Sequence, residues 1–335
     1  MTDQSETFMT RTNPTLPGAW RLARLASWHV IAPPLVFLAM LLAVWLLNPN
    51  YLSPFGISIV AATAAPILLI ALGQAMVLNV GSIDLSNAAT SLLGTILLAM
   101  ALPGYGLWGI LGILALVTLI GAVNGAVVAL AQVPSFALTL GTLGILQTAA
   151  LVTSGSETIY LSENRELVST LYTTNLGFVP LTFWVAVAVA LVCWGVLQFT
   201  RGGQAMTAMG KNETAAILSG VPVHWLRIAA FALSGLLGGV AGLAILAQAG
   251  SASASGIGSA LLLPGIAAAL VGGTSISGGQ TNPVNVIFGA LTVAFVPVAI
   301  QALGVGAQSQ SLVYGLFIIL VVALTTTRSR GTVIK

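Results

Sequence analysis

The sequence predicts an all-α polytopic membrane protein with about ten transmembrane helices, and three observations carry that prediction. Of its 335 residues, 57% are hydrophobic and 5% are charged, against roughly 25% charged in a soluble domain. The mean hydropathy is +1.04, and no water-facing fold of this size hides nearly all of its apolar side chains. The third observation is a repeated pattern of long apolar runs separated by turn residues. Soluble enzymes, nucleic-acid binders and disordered regulators are excluded on this ground. The solvent of the fold is lipid.

A helix needs about 20 mostly apolar residues to cross the hydrocarbon core. Runs of that kind lie at 30–47, 58–79, 85–102, 107–130, 135–153, 179–199, 226–248, 260–273, 284–303 and 311–327, with 85–102 and 260–273 the shortest. The breaks between them are turn chemistry, as in Asn48-Pro49-Asn50, Pro103-Gly104, Val133-Pro134-Ser135 and Gly278-Gly279-Gln280. The expected organisation is a tail over 1–28, a membrane domain over 29–327 and a second tail over 328–335. The first basic cluster precedes a run long enough to stay in the bilayer, with no evident small-residue cleavage site, so a cleaved signal is not expected.

Orientation follows from the rule that Lys and Arg remain on the cytoplasmic side. With the N-terminus inside and ten crossings, Arg11, Arg21, Arg24, Arg201, Lys211, Arg227, Arg328, Arg330 and Lys335 all fall inside. Only Arg165 falls outside. Nine of the ten basic residues on one face favour an even count with both termini cytoplasmic. The net charge of +3 is too dispersed to track nucleic acid.

Two polar segments are long enough to have a task. The outer one, about 154–178, concentrates Glu157, Glu163 and Glu166 around Arg165. The inner one, about 200–225, reads as two short helices broken at Gly210 and Gly220. Glycines at Gly121–Gly125, Gly235–Gly239 and Gly238–Gly242 match the small-xxx-small spacing that lets membrane helices approach closely.

Chemistry is sparse. Asp84 is the one acidic residue near the spans and is expected to cap the following helix, helped by Ser86. A proton pump would need a second intramembrane carboxylate or histidine to relay to. His29 and His224 sit at span ends and suggest no pair. Cys193, the single cysteine, excludes an intramolecular disulfide and a cysteine-based metal cluster. No metal site is expected, and no hydrolase or metalloprotease pattern is present. The one Gly-Lys pair, Gly210-Lys211, is followed by Asn212, where a phosphate-binding loop needs Ser or Thr to hold magnesium. Any ATP used must be hydrolysed by another chain.

Three stretches carry a resemblance. Gly73-Gln74 through Gly81-Ser82-Ile83-Asp84-Leu85-Ser86 is similar to a Gly-Gly-Ile-Asp-Leu-Ser pattern following a span. Ala208-Met209-Gly210-Lys211-Asn212-Glu213-Thr214-Ala215-Ala216-Ile217-Leu218-Ser219-Gly220-Val221 resembles a cytoplasmic Gly-Gly-Asn-x-x-Ala-Ala-x-x-Ser-Gly-Ile segment. Gly272-Gly273-Thr274-Ser275-Ile276-Ser277-Gly278-Gly279 matches closely, and Leu233-Ser234-Gly235-Leu236-Leu237 followed by Gly242 also fits. In this order, over about residues 55–325, the chain resembles the permeases of bacterial ABC sugar importers of the ribose, xylose and galactose type. It departs from them at Asn87-Ala88, where Val-Gly is common, and at Gln280-Thr281-Asn282-Pro283, which replaces a Gly-rich continuation.

The resemblance implies a type II ABC importer-like permease, not itself an enzyme. A second permease, identical or related, would complete the pathway for a monosaccharide or similar small polyol across a bacterial inner membrane. A partner ATPase would bind ATP and magnesium, this chain holding no cofactor, and a periplasmic binding protein would deliver substrate. Gly210, Lys211, Asn212, Glu213, Ala215, Ala216, Ser219 and Gly220 would form the ATPase-coupling loop, which the Lys/Arg distribution independently places in the cytoplasm. Candidate pathway residues are Asn79, Asn124, Thr139, Thr142 and Gln147, each of which serves equally well as a hydrogen bond between helices. Glu157, Glu163, Arg165 and Glu166 are candidates for contact with the binding protein. The rival reading is a secondary transporter or facilitator for a small neutral solute, which has no need for the inner-segment motif.

Overall fold

The computed structural model describes residues 28–255 and 260–325. Arg11, Arg21, Arg24, Arg328, Arg330 and Lys335, together with the His29 side chain, lie outside the described residues. Within them the chain is helical, with two short β ladders. The helices are α1 (Trp28–Leu47), α2 (Pro54–Asn79), α3 (Asn87–Ala131), α4 (Ser135–Ser154), α5 (Glu166–Thr173), α6 (Leu181–Phe199), α7 (Arg201–Lys211), α8 (Glu213–Leu218), α9 (Val223–Ala249), α10 (Leu262–Val271), α11 (Pro283–Ala302) and α12 (Gln310–Thr325).

Seven of these are long and apolar enough to cross a membrane: α1, α2, α3, α4, α6, α9 and α11. The expected count of about ten differs for two reasons. The runs at 85–102 and 107–130 join in the single 45-residue α3, whose one non-helical residue is Gly106 at φ 49°, ψ −129°. The chain therefore turns three residues beyond the expected Pro103. Proline is tolerated where the preceding turn forgoes one hydrogen bond, whereas a left-handed backbone needs glycine. The other reason is length. At 1.5 Å per residue the 10-residue α10 is about 15 Å long, half the hydrocarbon thickness, and α12 is described over 16 residues, up to Thr325.

The core is built around α2. From Val60 to Asn79 nearly every side chain is buried, as expected of a helix apolar on all sides. α11, α10, α6 and α9 pack around it. The most extensive helix pair is α9 against α3, and glycines let the two backbones meet. A Cβ on Gly121 would strike the Phe231 carbonyl, and one on Gly235 would strike the Val117 carbonyl. Gly242 faces the Ser91 carbonyl at 2.8 Å from its ideal Cβ position. The spacings seen in the sequence thus fall on a real interface.

Polar connections gather at the two ends of the bundle. At one end, Leu161 N–H donates to the Gly250 carbonyl at 3.1 Å, and β1 (Ile159–Tyr160) pairs antiparallel with β4 (Ser251–Ala252). Asn164 Nδ2 donates to the Leu102 carbonyl at 3.1 Å, beside the α3 kink. A second ladder, β2 (Asn175–Leu176) with β3 (Val179–Pro180), leads into α6. At the opposite end, residues 80–86, 132–135, 200–222 and 272–282 come together, and the candidate site is built there.

Candidate functional site

The segment between α6 and α9 starts with a cap. Thr200 Oγ1 accepts from Gly203 N–H at 3.0 Å, opening α7. The helix ends at Asn212 rather than at the expected Gly210. Asn212 is extended (φ −159°) and its side chain caps α8, accepting from Ala215 N–H at 3.0 Å. α8 closes at Ser219, and Gly220 at φ +77° turns the chain away. Glu213 accepts from Arg227 on α9 at 2.7 Å, the one salt bridge among the described residues. Ala216 is buried, while Ile217 is 53% and Leu218 85% exposed. An exposed apolar knob on a short, well-capped helix is a surface suited to docking.

Gly210 remains helical, and its small size serves contact instead of a turn. A Cβ there would collide with the Asn79 carbonyl and the Gly279 amide. Gly279 N–H donates to the Asn79 carbonyl at 3.0 Å, and Asn79 Nδ2 donates to Thr207 Oγ1 on α7 at 3.1 Å. Gly278 (φ +91°) sits against the Gly210 carbonyl and Gly81. The turn after α10 is internally fixed: Thr274 and Thr281 hydroxyls are 2.8 Å apart, Ser275 and Ser277 hydroxyls 2.8 Å, and Ser275 N–H donates to the Gln280 carbonyl at 2.9 Å. Gly272 lies against Val286 and Gly273 is left-handed. Three stretches far apart in sequence therefore meet backbone to backbone.

Beside this wedge runs a buried polar chain. Thr142 donates to Asn124 Oδ1 at 3.0 Å, and Asn124 Nδ2 donates to Ser86 Oγ at 3.1 Å. Ser86 Oγ donates to Asp84 Oδ1 at 2.6 Å, and Ser234 Oγ to Asp84 Oδ2 at 2.8 Å. Asn87 Nδ2 reaches Ser234 Oγ at 2.5 Å. Asp84 sits at the start of α3 with Ser86 beside it, as expected, and reaches further than a cap. The residue preceding α3 is Ser86, which makes no side-chain cap bond, while Asp84 accepts from Ser86 N–H at 2.9 Å. Its carboxylate faces the Asn87 backbone amide at the start of α3 and also takes the Ser234 hydroxyl, which ties the turn to α9.

Of the pathway candidates, Asn79, Asn124, Thr139 and Thr142 all hydrogen-bond between elements. Thr139 Oγ1 accepts from Leu85 N–H at 3.0 Å, so α4 holds the 80–86 connection. Gln147 is half-buried. Thr207 was not singled out from the sequence, and Ser234, Asn87 and Ser135 entered only within a motif, a departure and a turn, with no polar contact assigned. Their signal was a polar residue inside an apolar run, which names no partner. A cleft of about 380 Å³ opens at this end between Ser82, Gln132, Ser135, Glu213, His224 and Arg227. His224 Nδ1 lies 3.0 Å from the Ala129 carbonyl. At the far end Glu157, Glu163, Arg165 and Glu166 are exposed, and no ion pair joins them.

An apolar helical bundle whose polar connections interlock at one end around a capped, protruding helix defines a polytopic membrane permease. The chain belongs to the family described as the branched-chain amino acid transport system permease component, which it matches over residues 56–322. Among its relatives is the ribose import permease protein of Escherichia coli (strain K12), 31% identical over 303 residues, covering 88% of this chain and 94% of that protein. The fructose import permease protein of Rhizobium meliloti is 31% identical over 304 residues, with 88% and 84% covered. The autoinducer 2 import system permease protein of Enterobacter sp. (strain 638) is 34% identical over 258 residues, with 76% and 74% covered.

Proposed function

We propose that the chain is the membrane permease subunit of an ABC importer carrying a monosaccharide or similar small polyol. The observation that supports this most is the wedge at Gly210, where the α7–α8 segment presses directly on the end of α2 and on the turn before α11. Force applied to α8 has a rigid route into the bundle core. A facilitator needs no such part, and the ribose and fructose import permeases among the relatives favour a sugar over the amino acid of the family description. In this reading Gly210, Lys211, Asn212, Glu213, Ala215, Ala216, Ser219 and Gly220 form the coupling segment that a separate ATPase drives, with Gly210 and the buried Ala216 seating it on the bundle. That ATPase supplies the bound ATP and magnesium, and a second permease completes the pathway. Ten crossings with both termini cytoplasmic fit the two-ended sorting of the connections, with α10 as a short crossing, α12 as the last and α3 counted twice. The segment over about 154–178 then faces the binding protein.

The test is co-purification with the ATPase, followed by uptake of a labelled monosaccharide into vesicles. Glu213→Lys reverses the partner of Arg227 and alters the docking face. It is expected to loosen ATPase retention and abolish ATP-dependent uptake while the permease stays folded in detergent. Equal uptake without the ATPase would sink the reading in favour of a facilitator.

A further inference from the structure

The contacts of the wedge make no use of the charge on Lys211, a residue of the same coupling segment. Lys211 stands where the resembled pattern carries a second glycine, so the motif itself does not call for a cation there. Its aliphatic stem packs over Gly279, and among the described residues its ammonium makes no ion pair. The side chain lines a second cleft, of about 580 Å³, between the end of α6 and the outer side of α7, together with Leu197, Gln198, Gln204, Thr207 and Ala208. Gln204 Nε2 commits one of its two N–H groups to the Gln198 carbonyl at 3.0 Å. Thr207 Oγ1 donates to the Gly203 carbonyl at 3.1 Å. The Lys211 ammonium, the exposed Gln198 amide and the second Gln204 N–H remain as donors.

The cleft continues into a membrane-facing surface. Leu191, Gly195 and Gln198 recur at i, i+4 and i+7 on α6 and so share one face. Leu191 is 49% exposed, and nothing lies within 4 Å of the position a Cβ would take on Gly195. A shallow apolar channel on a membrane-crossing helix thus ends in a polar cleft holding one cation. We infer that this cleft binds the phosphate of an anionic phospholipid, with the acyl chains lying along Leu191 and Gly195. Lys211 supplies charge and Gln198 a hydrogen bond. A zwitterionic lipid brings its own ammonium beside Lys211 and is disfavoured. A soluble phosphate ester has no use for the apolar channel. A single basic residue at a membrane surface contributes ~1 kcal/mol toward anionic lipid, which is about a fivefold preference.

The test uses the full chain, purified in detergent with mixed lipids, and counts retained lipid by native mass spectrometry. Phosphatidylglycerol is expected to be retained about fivefold over phosphatidylcholine. Lys211→Met keeps the stem over Gly279 and removes the charge. It should erase the preference without lowering the thermal midpoint, while Lys211→Arg preserves it. Gln198→Leu should weaken retention of phosphatidylglycerol and leave that of phosphatidylcholine unchanged. Equal retention by the native chain and Lys211→Met overturns the site. Displacement of phosphatidylglycerol by glycerol phosphate at the same concentration overturns its assignment to a lipid. Because retention is read on the permease alone, neither result depends on which solute is transported.

Discussion

Asp84 is the one buried carboxylate among the described residues, and its surroundings decide between a proton carrier and a tie. Its two oxygens accept from three donors, Ser86 N–H, Ser86 Oγ and Ser234 Oγ. Asp84→Asn keeps a carbonyl oxygen for Ser86 and turns an amide toward Ser234, losing charge assistance and one acceptor. It should cost ~1 kcal/mol in thermal unfolding. Asp84→Ala strands all three donors, at ~1 kcal/mol or more each, for a loss of ~3 kcal/mol. Transport driven by ATP should survive the Asn variant and ignore an imposed proton gradient. Uptake lost in well-folded Asp84→Asn would make the carboxylate functional after all. Gly210 and Gly220 teach a related lesson. In the sequence they punctuate one motif equally, but in the structure nothing lies within 4 Å of a Cβ on Gly220, whose need is only its positive φ. Gly220→Ala should therefore cost ~1 kcal/mol and leave the segment seated. Gly210→Ala must displace the Asn79 carbonyl or the Gly279 amide, so it should abolish uptake even where the protein folds. Equal effects of the two on uptake would remove the wedge.

At the scale of elements, the α3–α9 pair depends on how closely two backbones approach. A methyl on Gly235 meets the Val117 carbonyl, whereas one on Gly144 of α4 meets nothing within 4 Å. Gly235→Ala should lower stability by the ~1–3 kcal/mol of an overpacked core. Gly144→Ala should stay within ~1 kcal/mol of the native chain, both read from thermal midpoints in detergent. A midpoint for Gly235→Ala equal to that of Gly144→Ala would mean the two helices separate at little cost. The small-residue faces of both helices were legible, because i, i+4 spacing defines a stripe. Their mutual pairing was not, because spacing names no partner. The α3 kink shows the same limit from another side. Pro103 was the visible breaker, yet the turn came at Gly106, where the backbone must be left-handed. The inner segment was legible as two short helices, but the break belongs to Asn212, whose side chain caps α8. Glycine marks freedom of the chain, and capping decides where that freedom is used.

For the whole molecule, the sorting of connections to two ends was readable from charge alone. Arg201, Lys211 and Arg227 lie at the end that holds the wedge, and Arg165 lies at the other beside Gly250. The wedge was not readable, since its contacts are carbonyl to amide and leave no mark in side-chain type. The opposite end carries the remaining prediction. Val168 of α5 is buried, the 159–160 strand is laddered to 251–252, and Asn164 is bonded beside the α3 kink. Glu163 and Glu166 flank that anchor and face water, so exchanging both for Lys alters charge without releasing the segment. If this surface receives the binding protein, its acidic character acts mainly on encounter rate and register. The double variant should then slow association of the binding protein by about tenfold at low ionic strength. The difference should vanish near 1 M salt, where the Debye length is about 3 Å. ATPase activity stimulated by the binding protein should fall in parallel at low salt, with basal activity unchanged. Unaltered association at low salt would move the docking surface elsewhere at that end, toward the connection after α11, where Leu303 stands 62% exposed.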